Sequence, residues 1–125
     1  MPIDDHNKPT PPLSPAVFHI LLALADGERH GYSIMRAIES DTGGVLKLGP
    51  GTLYGCLKRM LLTGLVEECE ERPDPDLDDE RRRYYRATDA GLRAARSEAA
   101  RLAAVVATAQ TRKLLPRHLP VTAGR

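Results

Sequence analysis

Along residues 13–24 the apolar positions Val17, Ile20, Leu21 and Leu24 recur at three- and four-residue steps, the spacing of a helix with one buried face. Ser14-Pro15 supplies its start: a capping hydroxyl, then a proline whose missing N–H costs nothing in the first turn. Asp26-Gly27 ends the run. His30-Gly31-Tyr32 opens a second helix with Ile34, Met35 and Ile38 inward and Arg36 and Glu39 outward, broken by Gly43-Gly44. Residues 45–48 suit a strand of a few residues. A third helix spans 50–63, in which Leu53, Leu57, Met60, Leu61 and Gly64 share one arc. Gly51, Gly55, Lys58, Arg59 and Leu62 lie opposite, with Thr52 and Tyr54 on the flanks, and Gly64 suits a left-handed stop.

Beyond it, residues 65–71 and 82–88 alternate as the strands of a hairpin. The linker 72–80 is too polar and proline-broken to join that sheet. Period-two alternation puts Arg83, Tyr85 and Ala87 on one face and Arg82, Tyr84 and Arg86 on the other, with Tyr85 and Ala87 inward. Thr88 caps a last helix that runs to about residue 115, before Pro116. Its seam, Leu92, Ala95, Ala99, Leu102, Val106 and Ala109, steps by three and four in a heptad-like pattern. A helix that long has little to bury against within one small domain, so a second copy of the chain is the natural partner.

The pattern predicts a mainly α fold with a small β-wing, a winged helix-turn-helix followed by a C-terminal dimerisation helix. The expected divisions are a flexible N-terminal arm (1–12), the winged domain (13–88), the dimerisation helix (89–116) and a flexible tail (117–125). At 125 residues, with no Trp and one Phe, the chain has mass for one modest, mostly helical core. Cys56 and Cys69 are not in a Cys-x-x-Cys pair, so a metal knuckle or disulfide framework is not expected. Cys56 reads as half-buried on a helix and Cys69 as a strand residue. No apolar run reaches a bilayer-spanning length, which points to a cytoplasmic protein without membrane contact.

Net charge changes the picture once it is divided. The chain carries +1, but residues 67–80 hold nine acids and one base, net −8, which leaves +9 elsewhere. That distribution leaves room for a polyanionic partner. Enzymatic chemistry has no support: His6, His19, His30 and His118 are scattered, and no nucleophile elbow, phosphate-cradling loop or metal-spaced cluster is present. No cofactor or metal is expected.

Candidate binding chemistry lies on the third helix and the wing. A helix that enters a groove followed by a cationic ribbon describes a reader of double-stranded DNA. Thr52, Tyr54, Gly55, Lys58 and Arg59 lie on the exposed side of that helix, where Gly55 allows close approach and Lys58 reaches a phosphate or guanine edge. The bland reading is a solvated helix surface. Tyr32 either bonds a phosphate at the start of the second helix or packs as a half-buried ring. Arg81, Arg82, Arg83 and Arg86 either contact DNA or balance nearby acids, and Asp78, Asp79 and Glu80 are candidates to fold over them and compete with phosphate.

With these residues in place the chain resembles a PadR-type transcriptional regulator. The resemblance rests on four pieces in order: residues 30–34 (HGYSI), Gly51-Thr52-Leu53-Tyr54 with residues 57–60 (LKRM), Gly64-Leu65-Val66, and residues 84–88 (YYRAT) with Gly91. It implies a homodimeric winged helix that represses transcription at a palindromic operator and is released by a small-molecule effector. It also implies an effector site near the dimer interface, for which Val17, Phe18, Leu21, Leu102, Val105 and Val106 are the candidate lining. The acidic wing loop departs from the family's short basic or Gly-rich turn, and Ala87 stands where a larger aliphatic is common. The rival reading is a winged-helix protein–protein adaptor without DNA binding. It calls for an exposed apolar patch, whereas Leu62 is the one large apolar residue expected on the outer face of the third helix.

Overall fold

The computed structural model describes residues 11–73 and 81–118. Three helices, α1 (Pro15–Leu24), α2 (Gly31–Asp41) and α3 (Pro50–Leu62), precede a small sheet and a long final helix, α4 (Asp89–Thr111). The strands are β1 (Arg29–His30), β2 (Val66–Glu68), β3 (Arg72–Pro73), β4 (Arg81–Arg82) and β5 (Tyr84–Ala87).

Local chemistry starts each helix where the sequence places it. Ser14 Oγ accepts the Val17 N–H at 3.2 Å, with Pro15 in the first turn of α1. His30 caps α2 through Nδ1, which accepts the Ser33 N–H at 3.1 Å, and Thr88 Oγ1 accepts from Gly91 N at 3.0 Å to cap α4. Each cap satisfies an amide that the first helical turn leaves without a partner. Gly64, at φ +79°, ends α3 in the left-handed conformation, and the Leu65 amide turns back to Met60 O at 2.9 Å.

Ile20, Leu21, Ile34, Ile38, Leu53, Leu57 and Met60 are fully buried where α1, α2 and α3 meet. Side chains of this size stabilise a fold by about 1.5–3 kcal/mol each when withdrawn from water. Val66, Tyr85 and Ala95 close the core from the sheet and α4. Cys56 belongs to it as well, fully buried where half-burial is expected from sequence.

Residues 45–48 do not form the expected strand. They finish the α2–α3 connection, in which Gly43 and Gly44 adopt φ +60° and +84°. Thr42 Oγ1 donates to Ile38 O at 2.9 Å and accepts the Leu46 amide at 3.0 Å. Leu46 and Leu48 pack on the core while Val45 is 89% exposed. Two anchors in a loop thus imitate the alternation of a strand without a partner strand. The third strand of the sheet is instead β1, and the order is β1-β5-β2, all antiparallel. The register sets Arg29 opposite Tyr85, His30 opposite Tyr84, and Glu67 opposite Arg86.

Four further expectations need correction. Tyr84, placed outward by alternation, is buried, because its ring meets His30 edge-on at 5.3 Å. The hairpin reaches into the segment expected to be loop, since Arg72 pairs with Arg82 and Pro73 with Arg81. Cys69 lies just past the end of β2, although its amide still bonds Tyr84 O at 2.8 Å. Helix α4 stops at Thr111, short of residue 115: Lys113 turns left-handed at φ 63°, and the Gln110 side-chain Nε2 donates to Pro116 O and Arg117 O at 3.1 and 3.0 Å.

Candidate nucleic-acid interface

Helices α2 and α3, joined by residues 42–49, form a helix-turn-helix whose outer side carries Tyr32, Arg36, Thr52, Tyr54, Lys58 and Arg59, all exposed, with Gly55 half-buried among them. Three contacts organise this side. A Cβ on Gly31 would lie 2.1 Å from the Tyr54 hydroxyl, so the absent side chain is what lets the Tyr54 phenol lie across the start of α2. The rings of His30 and Tyr32 stack at 6.5 Å, and the Arg36 guanidinium sits 4.9 Å from the Tyr32 ring centroid. From sequence Arg36 is expected only to face outward on α2. The four-residue step from Tyr32 was the available signal, because it stacks the two side chains on one helix face.

Cations on this side are available. Among the described residues Arg36, Lys58 and Arg59 make no ion pair, and the only bond from Arg59 is to the Cys56 sulfur at 3.4 Å. The first turn of α3 carries no acidic residue, so its N-terminal amides keep their partial positive charge.

The sheet behaves differently. Arg83 lies 3.4 Å from Glu68 and 3.7 Å from Glu71. Arg86 lies 2.7 Å from Glu67 and 3.7 Å from Glu28. The hydrogen bond to Glu67 raises the Arg86 pKa above its ordinary value, with the charge of the same carboxylate adding to the effect. The Tyr85 phenol is also pushed up, by burial first and by Glu68 second. Arg82 is half-buried. The Arg81 side chain, and Asp78, Asp79 and Glu80, lie outside the described residues.

On α4 the six seam residues separate. Ala95 is buried in the protomer's own core and Leu92 is half-buried. Ala99 and Leu102 are exposed, and Val106 and Ala109 are half-exposed. The buried line is Gly91, Ala95 and Glu98, so in the first half of the helix the stripe runs beside the expected seam rather than along it. Glu98, a residue with no distinguishing sequence signal, is 5% exposed. Its Oε1 accepts the Leu13 amide at 3.3 Å and Arg101 Nε at 3.0 Å. The Arg101 bond lowers its pKa, against an opposing push from burial and with help from the Leu13 amide. Of the expected effector lining, Leu21 is fully buried in the core, Val17 and Phe18 are half-buried against it, and Val105 is 54% exposed further along α4. A surface hollow lies at the far end of α4, against Gln110, Thr111, Leu114 and Pro116.

A helix-turn-helix followed by a short antiparallel sheet is the winged-helix architecture, a class built to present one helix outward beside a β-arm. The model of the transcriptional regulator PadR-like family matches residues 20–97, and the chain belongs to that family. A PadR family transcription regulator from Clostridium difficile superposes with a TM-score of 0.63 at 21% identity, covering 80% of this chain and 98% of that one. Bacillus subtilis PadR, solved in complex with operator DNA, superposes with a TM-score of 0.54 at 20% identity over 85% of this chain, which spans about half (49%) of that protein. The PcaV transcriptional regulator of Streptomyces coelicolor, solved with its natural ligand, gives a TM-score of 0.60 at 23% identity, covering 79% and 62%. In sequence, 53 residues are 51% identical to an uncharacterized 37.1 kDa protein in transposon TN4556 of Streptomyces fradiae; the match covers 42% of this chain and 15% of that protein. Among the described residues no helix is long and apolar enough to cross a membrane.

Proposed function

We propose that this PadR-family transcriptional regulator is a homodimeric repressor that binds a palindromic operator, one α3 helix per half-site, and is released by a small-molecule effector. The observation that carries the reading is the outer side of α2 and α3, where Lys58, Arg59 and Arg36 stand exposed and, among the described residues, free of carboxylates beside Thr52, Tyr54 and Tyr32. Lys58 reaches for a phosphate or a base edge, Thr52 and Tyr32 bond phosphates near helix N-termini, and Gly55 lets the backbone approach. Arg36, steadied by Tyr32, adds a phosphate contact on the flank.

Dimerisation through the second half of α4 sets the distance between the two α3 helices. Two half-sites then lie about one helical turn, ~34 Å, apart on one side of the duplex. An effector bound near the α1–α4 contact shifts the population between dimers that match this spacing and dimers that do not. Structural neighbours solved with operator DNA and with a natural ligand are in keeping with a DNA-binding, ligand-responsive reading.

The test is a mobility-shift titration on the chain's own promoter region with competitor DNA, repeated across salt. Lys58→Ala is expected to weaken binding and to lower the slope of log K against log salt by about one. A slope identical to that of the unmodified chain removes Lys58 from the interface. No shift at any salt returns the chain to the adaptor reading, for which Leu62 (80% exposed) is the apolar residue that α3 offers.

A further inference from the structure

Two arginines of the wing, Arg83 and Arg86, are occupied in a way the exposed cations of the helix-turn-helix are not. Arg83 faces Glu68 and Glu71, and Arg86 faces Glu67 and Glu28, so each guanidinium has two carboxylates within 4 Å. Glu67 and Arg86 are directly opposed across β2 and β5, which makes that pair part of the strand register and not an accident of long side chains. A guanidinium offers the same planar fork of donors to carboxylate and to phosphate. A carboxylate already in that fork is therefore a competitor for the position a DNA phosphate would take.

Resting on the duplex-binding reading above, we propose that the wing of this chain is an internally neutralised arm: Glu67 and Glu68 occupy Arg86 and Arg83, keep them from the phosphate backbone, and so confine DNA contact to the α2–α3 side. Among the described residues the acids nearest these arginines, Glu67 and Glu68, stand on β2. Cations already paired with carboxylates release few counterions when a duplex arrives, so the wing adds little to the salt dependence of binding. The acids act as a brake on non-specific affinity and leave recognition to α3. Such pairs are exposed and individually weak, about fivefold or less in affinity each, which sets the scale of what their removal can release.

The experiment compares the full-length chain, Glu67→Gln/Glu68→Gln, Arg83→Gln/Arg86→Gln and the quadruple variant on a labelled duplex of random sequence, by anisotropy across a salt series. Glutamine keeps shape and hydrogen bonding while removing charge. Glu67→Gln/Glu68→Gln is expected to bind about tenfold tighter at low salt, with a slope steeper by up to about two. Arg83→Gln/Arg86→Gln is expected to match the unmodified chain, and the quadruple variant to lose the gain. A gain that persists without the two arginines does not act through them and overturns the proposal. So does an absent gain, or an arginine variant that weakens the unmodified chain and flattens its slope. Should the double glutamate variant not fold, as judged by circular dichroism, Glu68→Gln alone keeps the Glu67–Arg86 pair and is expected to steepen the slope by about one. The promoter titration with Lys58→Ala keeps the two ideas apart. Binding that depends on Lys58 but not on Glu67 and Glu68 sinks only the neutralised wing, whereas no salt-dependent binding by the unmodified chain sinks the duplex reading itself.

Discussion

The two halves of α4 share one continuous helix, yet their surroundings differ. From Asp89 to Glu98 the helix belongs to the protomer: Gly91, Ala95 and Glu98 are buried against the α3–β2 turn, α1 and the chain entering α1. From Ala99 to Thr111 no residue is buried, and Leu102 and Val105 stand 36% and 54% exposed. Burial in the first half is settled within one chain. In the second half an apolar stripe stays uncovered among the described residues, and it is the face on which the proposed second subunit would sit. Periodicity alone does not separate a core helix from an interface helix; what lies opposite does.

Gly91 gives the strongest way to break the first half. A Cβ there would lie 2.1 Å from Leu65 O, a backbone atom that already accepts the Thr88 amide at 3.1 Å and cannot move cheaply. Gly91→Val is expected to destabilise the fold by about 3 kcal/mol or more, the upper range for forcing atoms into a filled site. A urea melt with an unchanged midpoint would mean that α4 is not seated as described.

The second half should respond in association instead of stability. Leu102→Glu/Val105→Glu removes two apolar side chains from each protomer, and self-association is expected to weaken by about a hundredfold or more, given roughly 1.5–3 kcal/mol per buried side chain. Sedimentation equilibrium measures this, and the folded content by circular dichroism should stay as it was. A dimer constant equal to that of the unmodified chain would move the interface elsewhere.

Glu98, at the border of the two halves, gives the smallest effect and the most specific signature. Its folded pKa lies below the ordinary value of about 4.3 because Arg101 and the Leu13 amide favour the carboxylate. A depressed folded pKa contributes stability that is fully present above the unfolded value and is lost as pH falls through the folded one. Glu98→Gln should therefore melt below the unmodified chain at neutral pH, and the gap should close below about pH 4. A gap that stays constant across an acid series would show that charge at Glu98 contributes nothing.

Much of the helical framework was legible because its signals are local. Ser14 with Pro15, Thr88, Gly64 and the three-and-four spacing of Ile34, Ile38, Leu53, Leu57 and Met60 all act within a turn or two of where they stand, and all appear in the fold where the sequence places them. The sheet was less legible. Residues 45–48 alternate like a strand and are not one, while Arg29 and His30 show no pattern and form the third strand. A two-residue strand is chosen by the edge that receives it, and that edge, β5, lies more than fifty residues away in sequence.

What the amino-acid order determines by itself here is therefore the set of helices, their apolar faces, and the outward chemistry of α2 and α3, including Lys58 and Arg59. The folded arrangement alone decides that Tyr84 is buried under His30, that Arg83 and Arg86 are held by Glu68 and Glu67, and that Glu98 reaches the Leu13 amide. Helix formation is governed by neighbours three and four residues away, so a window of sequence contains it. Pairing across a sheet or between α4 and the start of α1 joins residues up to 85 apart, and only the closed chain brings such partners within the few ångströms over which hydrogen bonds and ion pairs act.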